Sequence, residues 1–559
     1  MPPPRASGAP ADQASRRRHP RRLAAAVLVV IAALLPALPA AADYASQPAR
    51  ATWVPNAAVY AVAVRGDHVY LGGAFTSLRD ARTGETVGRT RLARISLATG
   101  ELDRSWSATA NGTVRAMAVS TDGARLFVGG EFSSVNSQAR GRIAALTTST
   151  GGLVTAWAAS ANNTVRAMVV HNGSLYVAGF FTAINGVTRP RAAAVSEASG
   201  AVTSFNPRAD SPVWALTPSP DGASMLLGGR FTRIGDAPRT YLASVDAASG
   251  AVTGWAPPPA CTSTTQPCFV LDLAVRGGRV FAAIAGPGGR VTAFDAASGA
   301  IRWHARGDGD VQAVAVDDRL VYAGGHYGPT FGGATRYNLA AVDQVTGVLD
   351  PQFAPSVSTL YPGVWDLVTT PSHLVAGGGF TNIGGTGQSR IALLPVIAVE
   401  TAVTRGATWR WTTEPQTAGW QAPNLDDSGW QSGPAQIGYG DGDEATVVPR
   451  AFTVYARRSF DVTSASSVTR ATLHLLRDDG AVVYLNGTEV LRSNMPTGAI
   501  GPSTPGSYTV AGTAESTYYT FALPASLLDE GTNVLAVEVH QESTGSSDVS
   551  FDAQLDLTR

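Results

Sequence analysis

The sequence predicts an all-β protein, a seven-bladed β-propeller plus a C-terminal β-sandwich (jelly roll), and three observations predict it. A glycine–aromatic phrase returns along the chain: Gly72-Gly73-Ala74-Phe75-Thr76, Gly129-Gly130-Glu131-Phe132-Ser133, Ala178-Gly179-Phe180-Phe181-Thr182, Gly228-Gly229-Arg230-Phe231-Thr232, Ala323-Gly324-Gly325-His326-Tyr327 and Gly377-Gly378-Gly379-Phe380-Thr381. A degenerate copy lies around Phe281–Ala285. Large aromatic residues keep the same beat at Trp53, Trp106, Trp157, Phe205, Trp255, Trp303 and Phe353, with gaps of 48 to 53 residues. Turn dipeptides fall between them at Thr99-Gly100, Thr150-Gly151, Ser199-Gly200, Ser249-Gly250, Ser298-Gly299 and Thr346-Gly347. Three markers sharing one period of about 50 residues define a repeat architecture.

Inside each unit the apolar period is two. Val114, Ala116 and Ala118 alternate with other residues, Leu126-Phe127-Val128 follows a Thr-Asp-Gly turn, and Ile143–Leu146 runs into the Thr-Gly turn. This reads as four short strands per unit joined by hairpins, which repeated radially make a propeller. The glycine of each turn dipeptide is expected at positive φ. The last unit ends at Arg390-Ile391-Ala392-Leu393-Leu394 without an outer strand of its own, and Trp53 stands alone before the first complete unit. The segment Thr52-Trp53-Val54 is therefore expected to supply the outer strand of the last blade and close the ring, leaving no open sheet edge. The periodic aromatics are expected to pack between neighbouring blades. Arg91, Arg142, Arg191, Arg290 and Arg390, with Tyr241 and Asn338 in the other units, are expected to make one structural hydrogen bond per blade, the alternative being an anion-attracting ring.

The beat stops after Ile397, and residues 398–404 are expected to be a linker. Beyond it, Asp478-Asp479-Gly480 leads into two strands about the Asn486-Gly487 turn, a strong hairpin signal. Asn533–His540 and Phe551–Leu557 alternate as further strands. A segment of about 150 residues built this way reads as a jelly-roll sandwich.

Arg16, Arg17, Arg18, Arg21 and Arg22 precede the apolar run Leu23–Leu35, and Ala40-Ala41-Ala42 precedes Asp43. That order predicts a secretory signal peptide over 1–42, hence a secreted, extracellular product. The propeller then occupies 43–397 and the second domain 405–559. The full chain carries 42 basic and 42 acidic residues, every base being Arg. Without lysine, Schiff-base and P-loop chemistries are excluded. Removing 1–42 takes away six Arg and one Asp, leaving a net charge of −5. A mildly acidic chain is not expected to bind nucleic acid, and no later stretch is long enough to span a membrane.

The glycine–aromatic repeats over residues 51–397 resemble those of secreted bacterial propellers of the delta-60 type. Thr292–Asp295 with Ser298–Trp303 is similar to a repeat of quinoprotein dehydrogenases, a likeness of the blade and not of their site. Trp430–Pro434, Gly438-Tyr439-Gly440, Tyr455–Phe460, the Asp-Asp-Gly and Asn-Gly segment, Asn494-Met495-Pro496, Val537–Gln541 and Ser546-Ser547-Asp548 resemble a galactose-binding-like jelly roll. That domain is similar to the sugar-binding domain of exo-acting glycosidases, and the resemblance implies carbohydrate binding, although one fold hosts many tasks.

The candidate carbohydrate-binding residues are Trp430, Tyr439, Asp479 and His540. Aromatic rings stack on sugar C–H faces, though Trp430 and Tyr439 also fit a core role, and Asp478 and Asp479 fit a turn cap. Asp441 and Asp443 in a Gly-rich loop are candidate oxygen ligands for Ca²⁺, against a solvated turn. No other cofactor is expected. Cys261 and Cys268, in a Pro- and Thr-rich insertion, are expected to form a local disulfide. His68, His171, His304, His326 and His373 read as rim or turn residues. For a catalytic reading, which predicts convergent carboxylates at the channel mouth, Asp308, Asp310, Asp317 and Asp366 are the acids to inspect.

The resulting expectation is a secreted, non-catalytic, monomeric binding or adhesion protein. The propeller would be its interaction platform and the jelly roll a carbohydrate-binding module for glycan or cell-wall polysaccharide. The alternative is an extracellular carbohydrate-active enzyme or a quinone oxidoreductase with its site on the propeller face.

Overall fold

Each repeat begins with an apolar Val-x-Ala or Val-x-Asp triplet that opens an inner strand: Val59–Arg65, Val114–Val119, Val165–His171, Val213–Pro218, Phe269–Arg276, Asp310–Val316 and Val364–Thr369. The computed structural model describes residues 43–49, 52–259, 268–358, 363–397 and 399–559. The predicted signal peptide and Cys261 therefore lie outside the described residues, while Cys268 is buried. Every inner strand pairs antiparallel with a second strand that carries the glycine phrase or its degenerate copy, and that strand with a third. A fourth, outermost position is filled by a single bridging residue in five sheets, such as Leu102 on Ile95 and Leu153 on Leu146. In the sheet that starts at Phe269 it is a full strand, Ile301–Arg306. Among the described residues, seven such sheets follow one another. Their inner strands touch in succession, and Val364–Thr369 lies against Val59–Arg65, so the arrangement is a closed ring.

The glycine phrase recurs because of that packing. A Cβ on Gly129 would stand 2.7 Å from Cγ1 of Val165, the opening valine of the next sheet, and one on Gly324 would stand 2.6 Å from Cγ1 of Val364. At the seam the same relation holds between Gly377 and Val62 of the first sheet, at 2.8 Å. Glycine at this position lets five of the seven sheets approach their neighbours this closely, and Ala178 and Ala283 hold the place in the other two. The turn glycines Gly100, Gly151, Gly200, Gly250, Gly299 and Gly347 all adopt positive φ, between 70° and 82°.

The periodic aromatics clamp adjacent sheets. Trp106 meets Tyr70 of the first sheet edge-on at 5.6 Å and donates its indole N–H to the Thr147 carbonyl of the second. Trp157, Trp255 and Trp303 donate in the same way to Ser196, Asp295 and Gln344. The repeated cationic position is structural: Arg91, Arg142 and Arg191 sit at φ near 70° and donate to the carbonyls of Ala74, Glu131 and Phe180.

Closure differs from the sequence expectation. The strand that completes the last sheet is Asp43–Tyr44, paired antiparallel with Ile397 and Val396. Trp53–Pro55 pairs instead with Leu78–Asp80, beside the first sheet. Trp53 still guards the seam, because its ring is buried with Val59 and Leu71 on one side and Val375, Ile391 and Leu393 on the other. The beat located the seam, but a two-residue strand carries no period to detect.

Residues 399–559 fold as two six-stranded sheets that enclose one apolar core, with Trp409, Val454, Leu475, Val483, Val537 and Phe551 among its members. The residues expected as a linker are part of it: Val399–Val403 pairs with the C-terminal strand Val549–Thr558, and Val403 is fully buried in that core. Among the described residues no helix is long and apolar enough to cross a membrane.

Candidate functional site

All seven inner strands share one irregularity. The pairing register shifts between Val59 and Ala61, Val114 and Ala116, Val165 and Ala167, Val213 and Ala215, Val270 and Asp272, Val311 and Ala313, and Val364 and Asp366. A bulge leaves the intervening residue unpaired and re-aims its side chain. Those seven residues are Tyr60, Arg115, Arg166, Trp214, Leu271, Gln312 and Trp365, and all of them line one cavity of about 810 Å³ at the centre of the ring. Glu131, Phe180, Phe269, Asp310 and His326 extend its wall.

The wall is aromatic and charged. Trp365 and Tyr60 meet edge-on at 5.7 Å, and Trp214 meets Phe269 edge-on at 5.1 Å. The Arg115 guanidinium lies 4.4 Å from the Tyr60 ring and donates to Glu131 at 2.7 Å. Asp310 accepts the Gly286 amide at 2.7 Å and faces His326 Nε2 at 3.6 Å. Arg166 stacks 5.0 Å from the Trp365 ring. Its guanidinium makes no hydrogen bond or ion pair among the described residues, and burial together with Arg115 pulls its pKa down to about 10.

Below the wide cavity the channel narrows to about 190 Å³, lined by the next residue of six inner strands. Four of those positions are alanine, at Ala61, Ala116, Ala167 and Ala215; the other two are Asp272 and Asp366. Asp366 accepts the Val62 amide at 2.7 Å and Asp272 accepts the Val314 amide at 2.9 Å, so each carboxyl ties its sheet to the next. Burial pushes Asp272 up to about 6, and burial together with Asp272 pushes Asp366 up to about 8. Of the four acids named for inspection, Asp310 and Asp366 line the channel. Asp308 instead caps the Gly328–Thr330 turn, and Asp317 accepts Leu320 N–H and Tyr322 O–H. His326, read from sequence as a rim residue, lines the cavity.

The sandwich does not bring its four predicted sugar-binding residues together on a surface. Tyr439 belongs to the core, with its hydroxyl between the Ala451 carbonyl and the Gln541 amide. His540 is fully buried against Thr453 and Glu538. Asp479, also buried, uses both carboxylate oxygens to accept the amides of Val510 and Glu542, each at 2.7 Å. Trp430 is half-buried on a separate cluster, stacked on Trp420 at 6.3 Å. Tyr439 and Asp479 place their oxygens in hydrogen bonds inside the domain, and His540 Nε2 lies 3.3 Å from a Glu538 carboxylate oxygen there. Asp441 and Asp443 are exposed; Glu444 accepts the Asp441 and Gly442 amides, and Asp441 accepts the Ser550 hydroxyl. Among the described residues no group of three or more His, Cys, Asp or Glu is placed to hold a metal ion.

A family model described as outer membrane protein assembly factor BamB (PQQ_2) matches residues 198–383. That span contains the axial residues Trp214, Leu271, Gln312 and Trp365. The chain contains a β-propeller. Among solved structures, the WD40 β-propeller domain of Doa1 aligns over 63% of this chain and 96% of its own length, at 12% identity and a TM-score of 0.42. The computationally designed Ika8 protein aligns over 62% of this chain and all of its own, at 14% identity and a TM-score of 0.39. Curated proteins give no match.

Proposed function

We propose that this protein is a secreted, non-catalytic binding protein: a seven-bladed propeller whose axial cavity holds a glycan, carried beside a galactose-binding-like jelly roll. The observation that carries this reading is the convergence of seven bulged residues, one from each sheet, on a single cavity. Repetition alone would give every sheet the same side chain there. Instead the position holds Tyr, Arg, Arg, Trp, Leu, Gln and Trp, while the flanking valines repeat in every sheet.

A cavity with ring faces and a few polar groups is what a ligand of mixed character needs. Trp365, Trp214 and Tyr60 offer faces for sugar C–H groups. Glu131, Asp310 and Gln312 offer acceptors for hydroxyls. This moves the proposed sugar contact from the sandwich to the propeller, since Tyr439, Asp479 and His540 are committed to the sandwich interior.

The full secreted chain is expected to bind a subset of bacterial, fungal or plant polysaccharides on a glycan array. Trp365→Ala is expected to weaken that binding at least tenfold, about 1.4 kcal/mol, with an unchanged thermal melt. No binding across the array, or binding that ignores Trp365, would refute the reading.

A further inference from the structure

Resting on that reading, we infer that the axial cavity selects an acidic sugar residue, with the free guanidinium of Arg166 receiving its carboxylate. The charges around the cavity single Arg166 out. Arg115 is engaged by Glu131 at 2.7 Å, whereas Arg166 has no acceptor among the described residues. An arginine stacked on an indole keeps its planar N–H edge open, the geometry that matches a carboxylate with two parallel hydrogen bonds. A half-buried cation with no hydrogen-bonded anion is costly to maintain, and a ligand that supplies one regains that cost on binding.

The rest of the wall narrows the class. Glu131 and Asp310 accept hydroxyl protons but repel a ligand of high negative charge, which disfavours phosphorylated ligands and nucleic acid. Trp365 and Trp214 require a ligand with an apolar face. A single carboxylate on a hydroxyl-bearing ring meets all three conditions.

The test is a titration of the full secreted chain with oligogalacturonate and oligoglucuronate, each against its carboxyl-reduced, neutral counterpart. Arg166→Gln and Arg166→Lys are titrated in parallel, with thermal melts confirming that each folds. For the parent chain at least one acidic oligosaccharide is expected to bind about ten times or more tightly than its neutral counterpart, with a preference that shrinks as salt is raised. Arg166→Gln should lose the preference for the acidic form, and Arg166→Lys should retain part of it. Equal binding of acidic and neutral forms, or a preference unchanged in Arg166→Gln, overturns the inference and leaves the glycan reading standing. Absence of binding by every oligosaccharide, together with an empty glycan array, overturns both.

Discussion

Tyr44→Ala is expected to destabilise the propeller by about 4 kcal/mol, the scale of truncating a fully buried aromatic side chain. Tyr44 sits in the two-residue strand that completes the last sheet, and its side chain is 3% exposed. It meets Tyr322 edge-on at 5.3 Å, shares a core with Phe353 and Leu394, and donates its hydroxyl to the Thr370 carbonyl at 2.6 Å. One substitution thus opens a cavity beside two neighbouring sheets and orphans the Thr370 carbonyl. Tyr44→Phe removes only the hydroxyl, and its cost should be about 1 kcal/mol, the net worth of one hydrogen bond. Urea unfolding followed by tryptophan fluorescence separates the two. Equal, small losses for both variants would mean that the Asp43–Tyr44 strand contributes little to holding the ring.

Asp366→Asn is expected to stabilise the protein at high pH and leave it unchanged at low pH. The folded-state pKa of about 8 lies far above the ordinary carboxyl value of 3.8. Between those two values the folded chain keeps a proton that the unfolded chain has released. The unfolded state then binds fewer protons, so stability falls as pH rises from about 4 to 8. A tenfold difference in proton affinity between the two states corresponds to about 1.4 kcal/mol. Asp366 is only half-buried, and solvent screening reduces this to on the order of 3 kcal/mol above pH 8. Asparagine keeps an oxygen for the Val62 amide and cannot ionise. Melting temperatures of the two proteins should coincide near pH 4 and diverge towards pH 9, with the variant higher. Arg166 and Asp272 face the same narrow channel, and the lower pKa of Asp272, about 6, places its own loss earlier in the same window. A variant whose advantage does not grow with pH would show that Asp366 ionises freely in the folded protein.

The repeat markers were legible in the sequence because they are packing constraints. A glycine that must admit the next sheet's valine, a turn glycine at positive φ and an aromatic wedged between sheets recur wherever the geometry recurs. The axial residues were not legible for the opposite reason: their position is defined by variation. Strict alternation would put Tyr60, Arg115 and Arg166 on the opposite face from their neighbours Val59, Val114 and Val165. It is the register shift that turns them inward, and one extra residue in so short a strand cannot be told from ordinary variation in its apolar pattern. The one signal was the variable middle residue of every Val-x-Ala or Val-x-Asp triplet. In the sandwich, the motif resemblance singled out Tyr439, Asp479 and His540, and the structure buries all three. His540, Asp479 and Tyr439 each hydrogen-bond to groups inside the domain, a role that residue type and spacing do not reveal.

The pairing of Asp43 with Ile397 also dictates an order of events. The edge partner leaves the ribosome first, and its mate is made only after all the intervening repeats. Neighbouring sheets can assemble pairwise as they emerge, but docking the two extremities waits for translation of the whole ring. Bringing such distant positions together is slow, since loop entropy opposes it until late contacts repay the loss. Until then the last sheet exposes an unpaired flank that invites a second molecule. The nascent toroid is therefore most prone to aggregate just before its own leading end arrives.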